Sequence, residues 1–246
     1  MPNDAISATP QTAAHAAAMS NASPMALLLN LGHALDHLFL LIFATAVSAI
    51  AADFGLARWE DLMPFTVGAF VMFGVGSIPA GRLGDLWGRR AMMLVFFFGI
   101  GAASLLVAAT QNAWQMAVAL TVLGIFAAVY HPVGIPMLVQ RAARPGLTIG
   151  INGLAGNLGI AAAALITGFL VKYFGWRMAF VVPGVISILA GILFAVLAPK
   201  EEMAPAKRPR TLAALPPGVM ARVFLVMTAT AVTGSLIFQF TTNGIG

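Results

Sequence analysis

From residue 25 onward the chain alternates long apolar runs with short polar breaks. Seven runs fall at about 25–51, 62–81, 92–109, 114–140, 148–171, 178–198 and 220–241. A helix needs about 20 apolar residues to cross about 30 Å of hydrocarbon, whereas a membrane strand needs only about 9–11 and alternates polar with apolar positions. The run Met92-Met93-Leu94-Val95-Phe96-Phe97-Phe98 does not alternate. The pattern predicts an all-α polytopic membrane protein: a half of six spanning helices, followed by a seventh.

Composition agrees. Apolar residues make up 60% of the 246 and charged ones only 9%, against roughly 25% charged in a soluble domain. So few charges cannot coat a water-facing surface. Cysteine is absent, which excludes disulfide frameworks and thiolate chemistry. The net charge of +5 sits in blocks between the apolar runs and does not form a nucleic-acid surface. With the N-terminus inside, the inner segments carry Arg82, Arg89, Arg90, Arg141, Arg144, Lys200, Lys207, Arg208, Arg210 and Arg222. The outer loops carry Arg58, Lys172 and Arg177. Ten against three predicts a cytoplasmic N-terminus in the cytoplasmic membrane.

Residues 1–24 form a tail of Ala, Ser, Thr, Pro and Asn, without the basic start of a signal peptide, and the expectation is disorder. Residues 25–198 hold the six spans, 199–219 form a charged cytoplasmic linker, and 220–246 hold the first span of an incomplete second half. Gly81, Leu83, Gly88 and Arg90 recur as Gly168, Leu170, Gly175 and Arg177, each shifted by 87 positions. That shift lays residues 25–110 over 112–198. Three spans are an odd number, so the second copy is inverted, as is typical of secondary transporters.

Spans two and three are joined by Gly81-Arg82-Leu83-Gly84-Asp85-Leu86-Trp87-Gly88-Arg89-Arg90. Gly81 and Gly88 suit a tight reversal, and Asp85 suits the start of the following helix. As a unit the segment resembles the loop between spans two and three of the major facilitator superfamily. The match covers Gly81, Leu83, Asp85, Gly88, Arg89 and Arg90, and Leu86 stands where the family has a base. The resemblance implies a cytoplasmic gate in which Asp85 and Arg89 steady one access state. Gly156-Asn157-x-Gly159 in span five and His131-Pro132 in span four resemble drug–proton antiporters of the fosmidomycin-resistance type. This implies a place for His131 and Asn157 in the transport cavity.

Span one carries Asn30, His33, Asp36 and His37. Asp36 is the only acidic residue inside any of the seven runs, and a carboxylate at that depth costs at least about 2.5–3.5 kcal/mol. It must therefore be paired or protonated. The spacing of three and four residues puts His33, Asp36 and His37 on one broad helix face, where they can pass a proton. Pro132 in span four frees backbone carbonyls that can line a cavity.

These features point to a secondary transporter of a small solute or drug, working by alternating access and coupled to protons, with efflux favoured over uptake. Its partners are then lipid, a small-molecule substrate and protons, with no cofactor or bound metal expected. A truncated or non-transporting subunit that needs a partner half is the alternative, because the family has about twelve spans. A retinal-binding receptor is disfavoured because Lys172, Lys200 and Lys207 all lie at or beyond span ends. An enzyme is disfavoured by the absence of a P-loop or a Ser/His/Asp set.

Overall fold

The computed structural model describes residues 20–140, 142–200 and 216–243. Every regular element among them is a helix: α1 (Pro24–Asp53), a 3-10 stretch (Trp59–Thr66) leading into α2 (Val67–Trp87), α3 (Arg89–Ala108), α4 (Ala113–Ala127), α5 (Tyr130–Val139), α6 (Pro145–Phe174), α7 (Trp176–Leu197) and α8 (Pro217–Asn243). Six helices or consecutive segments are long and apolar enough to cross a membrane, with the 3-10 stretch and α2 counting as one and α4 and α5 as another. The helix α8 belongs to a separate compact unit, Arg208–Gly246. Of the expected tail and linker, residues 1–19 and 201–215 lie outside the described residues, as does Arg141.

Local chemistry sets the helix ends. Ser23 caps α1, its Oγ accepting from the Ala26 N–H at 3.2 Å, with Pro24 as the first helical residue. Both features are preferred helix starts. The tail is thus ordered by residue 20, where Asn21 also accepts a 2.8 Å hydrogen bond from Thr148. Span four is not one continuous helix, for α4 ends at Ala127 and α5 begins at Tyr130. Pro132 has no N–H for the Ala128 carbonyl, and its ring clashes with a carbonyl four residues back. The helix therefore restarts so that proline falls in a first turn, where it is tolerated.

The expected reversal at Gly81 is not where the chain turns. Helix α2 continues six residues further, to Trp87, and Gly81 packs inside it against Pro132. The reversal is a single residue, Gly88, at φ 100°, a conformation that favours glycine. Gly175, 87 positions on, makes the same one-residue turn between α6 and α7 at φ 85°.

Three helix pairs build the bundle: α1 with α6, α2 with α4, and α3 with α7. In lipid, helices associate by close packing, and small residues allow it. A Cβ on Gly159 would fall 2.1 Å from the Ala34 carbonyl oxygen, and one on Gly124 would fall 2.2 Å from that of Ala69. The pair α3–α7 is held differently. Ser104 donates to the Phe180 carbonyl at 2.7 Å and Ser187 to the Phe97 carbonyl at 2.9 Å. Arg90, at the start of α3, donates to the Ala195 and Ala198 carbonyls at the end of α7. Arg177, at the start of α7, donates to the Thr110 carbonyl just past α3. Arg90 satisfies orphaned carbonyls at the end of α7, Arg177 bonds a carbonyl just beyond α3, and each offsets the helix dipole there. Arg90 of the loop motif thus caps the end of α7.

The glycine contacts give a stability test. Gly159→Ala and Gly124→Ala press a methyl into backbone, and each should cost about 1–3 kcal/mol. Gly153→Ala, whose Cβ would meet nothing within 4 Å, should stay within about 0.5 kcal/mol of the parent. Thermal unfolding in detergent, followed by circular dichroism, reads the difference.

Candidate functional site

A cluster of buried polar groups lies where α1, α5 and α6 meet. Asn152 of α6 is the centre, 2% exposed. Its side-chain amide donates to Asn30 Oδ1 at 2.9 Å and to the Tyr130 hydroxyl at 2.8 Å. Its backbone carbonyl accepts from His33 Nδ1 at 2.7 Å. Tyr130 passes its own proton to the Leu29 carbonyl at 2.7 Å. Three helices are tied together by these four bonds.

The His33 ring is fixed on all sides. It stacks on Tyr130 at a centroid distance of 4.9 Å and an interplanar angle of 13°, and it occupies the space that a Cβ on Gly156 would fill, 2.7 Å away. A carbonyl can only accept, so the neutral ring carries its proton on Nδ1 and presents a lone pair at Nε2. His37, one turn on, approaches that atom with its own Nε2 at 3.1 Å. His131 stands nearly perpendicular to both rings, 5.0 Å from His33 and 5.5 Å from His37 between centroids.

Asp36 is completely buried. Neither carboxylate oxygen makes a hydrogen bond, and Oδ2 lies 3.5 Å from His131 Nε2. An isolated buried carboxylate costs several kcal/mol, so it either carries a proton or faces a charged imidazole. His131 is the residue positioned to be that imidazole, and its side chain is 38% exposed. The structure thus brings together Asn30, His33, Asp36, His37 and His131, but within the group Asp36 pairs with His131, and His33 pairs with His37.

Asn157 lies apart. It is on an exposed part of α6, and the asparagine that α6 contributes to the cluster is Asn152. Asn152 and Tyr130 escaped the sequence reading, although each left a signal. Asn152 falls inside an apolar run, and Tyr130 is the one tyrosine of two that does. At the turn between α2 and α3, Asp85 Oδ1 lies 3.8 Å from Arg89 Nη2, four residues on. That pair joins the last turn of α2 to the first residue of α3.

The profile of the Major Facilitator Superfamily matches residues 29–245. The chain belongs to this superfamily. Among superfamily relatives, it is 28% identical to the puromycin resistance protein pur8 of Streptomyces alboniger over 59% of the chain and 29% of that protein. It is 30% identical to the probable actinorhodin transporter of Streptomyces coelicolor over 68% of the chain and 29% of that protein. With the multidrug efflux pump LfrA of Mycolicibacterium smegmatis it shares 28% identity, over 57% of the chain and 28% of the pump. The chain spans less than a third of the length of these relatives. The fold is similar to that of the proton:xylose symporter XylE bound to 6-bromo-6-deoxy-D-glucose, with a TM-score of 0.59 at 17% identity, covering 70% of this chain and 44% of that one.

The two asparagines of α6 separate by mutation. Asn152→Ala removes the donor to Asn30 Oδ1 and to the Tyr130 hydroxyl in a buried site and should cost about 1–3 kcal/mol. Asn157→Ala should change stability by less than about 0.5 kcal/mol. Unfolding curves of the two variants in one detergent provide the comparison.

Proposed function

We propose that this superfamily half belongs to a proton-coupled exporter of drug-sized organic molecules, with Asp36 and His131 as the coupling pair. The observation that carries the reading is the burial of Asp36 beside His131 in a bundle of six apolar helices. A carboxylate at such depth marks a proton or ion path by default. The resistance and export functions in the names of the relatives support drug-like cargo and outward transport. The narrower fosmidomycin-resistance type rests on His131-Pro132 and Gly156-Asn157-x-Gly159.

In this reading α1 and α5 line one side of a cavity, and a second six-span half closes the other. The exposed apolar rows of α2 (Phe70, Val71, Val75, Ile78) and α6 (Leu154, Leu158, Leu165) suit lipid and that second half. Residues 25–110 and 112–198 act as inverted copies. Support comes from the pairing of α1 with α6 and of α2 with α4, which the 87-residue shift exchanges, and from the matching turns at Gly88 and Gly175. The balance of basic residues supports a cytoplasmic N-terminus in the cytoplasmic membrane, with Asp85 and Arg89 as the inner gate. A subunit that does not transport by itself is the alternative, resting on the fraction of its relatives' length that the chain spans.

Charge links chemistry to motion. Ionised Asp36 favours the state in which water reaches α1, and protonated Asp36 tolerates closure. Asp36→Asn, in a transporter reconstituted with its second half, should insert normally and keep puromycin exchange that needs no proton flux. It should lose accumulation driven by a pH gradient. His33→Gln and His37→Gln should shift the pH optimum rather than abolish transport. Undiminished accumulation by Asp36→Asn under the same gradient would place the proton site elsewhere, with His131 the next residue to test.

The gate has a separate readout. Asp85→Asn should alter the labelling of single cysteines placed along α1 from the two sides of the membrane, at unchanged expression. Equal labelling of parent and variant on both sides would remove Asp85 from the gate.

A further inference from the structure

The three histidines are arranged as ligands as well as proton carriers. A zinc-type ion sits about 2.0–2.1 Å from each imidazole nitrogen, so tetrahedral ligand atoms are about 3.3 Å apart and their ring centres about 5.2 Å apart. His33 Nε2 and His37 Nε2 are 3.1 Å apart. The three ring-centre separations are 4.9, 5.0 and 5.5 Å. One nitrogen from each ring falls within 4.8 Å of the others, so ligand spacing is reached by an approach of at most about 1.5 Å. Aromatic packing alone does not require ring nitrogens to converge.

Two of the three rings have an outer partner of the kind found around bound metals. Metal-binding histidines almost always donate their second N–H to a carbonyl or carboxylate, which fixes tautomer and orientation. His33 Nδ1 donates to the Asn152 carbonyl at 2.7 Å, and His131 Nε2 faces Asp36 Oδ2 at 3.5 Å. Each leaves its other nitrogen available as a ligand. Asp36 is fully buried and neither of its oxygens has a hydrogen-bond partner, so a small approach of His131 Nε2 from 3.5 Å would supply the N–H that the carboxylate lacks.

We propose that His33, His37 and His131 form a three-histidine site for a borderline divalent cation of the zinc type, with a fourth position open to water or an exchangeable ligand. Asp36 and the Asn152 carbonyl orient the ligands and do not touch the ion. This departs from the sequence reading, which expected no metal. His33 and His37 come from α1 and His131 from α5, so a bound ion pins the first span to the fourth. The proposal rests on ring geometry and does not depend on proton coupling.

The test uses the full 246-residue chain without an affinity tag, purified in detergent, stripped of metal and titrated with Zn2+ and then Co2+. The expected result is one Zn2+ per chain and the strong visible absorption of four-coordinate Co2+. His37→Ala and His131→Ala should each weaken Zn2+ binding by more than about 100-fold, and Asp36→Asn by about 10–100-fold. His15→Ala, in the tail, should change nothing. Circular dichroism confirms that each variant keeps its helices, and His131→Asn replaces any variant that does not. Three results overturn the proposal: no stoichiometric uptake by the parent, weak six-coordinate Co2+ bands, or affinity unchanged in both histidine variants. Transport is not read here, so a failure of the coupling proposal leaves this outcome intact, and the reverse also holds.

Discussion

The carboxamide and carbonyl of Asn152 are the contact on which the site depends. Hydrogen bonds between helices in lipid contribute only about 0.6–2 kcal/mol each, but those at Asn152 act together. One residue satisfies Asn30, Tyr130 and His33 at once, and the cost of leaving any of them unpaired resists partial opening. The bonds are possible because α6 comes close to α1, and that closeness exists because Gly156 and Gly159 have no side chains. Packing therefore precedes chemistry here. Gly159 lets the two backbones approach, Gly156 makes room for the His33 ring, and the polar network forms in the space that results.

The other pairs follow the same economy with different parts. Between α2 and α4 the close contact is Gly124 on the backbone of Ala69. Between α3 and α7 serine hydroxyls bond to backbone carbonyls across the interface, and Arg90 and Arg177 close its two ends. Arg177 also donates to Asp53 at 2.8 Å and stacks over Trp176 at 4.4 Å, which fastens the end of α1 to the start of α7.

Much of this was legible in the residue order. Long apolar runs require helices, because lipid offers no partner for backbone groups, and the six spans of the larger unit fall where the runs do. Asp36 was visible as an acid with no reason to be there, and His33 and His37 by their spacing from it. What could not be read was the partnership across helices. Helical spacing brought His33, Asp36 and His37 to one face, but it carried no information on which residue of α5 or α6 would meet them. The choice between Asn152 and Asn157 depends on how α6 is rotated against α1, which is fixed by glycines on the facing side. Gly81 misled because glycine suits both a turn and a close helix contact, and here Pro132 is the neighbour that makes use of it.

The break between α4 and α5 has a mechanical consequence. Asn30, His33, Asp36 and His37 ride on one uninterrupted rod, so their mutual geometry is rigid. Tyr130 and His131 follow directly on Ala128–Val129, where the helical hydrogen bonding of span four is interrupted while the backbone keeps helical dihedral angles. A few degrees of swing there moves the phenol that holds Asn152 and the imidazole that faces Asp36 together. The cluster therefore has few independent moving parts. A displacement of α5 would act on the hydrogen-bond hub and the buried acid together, because adjacent residues of one helix carry both contacts.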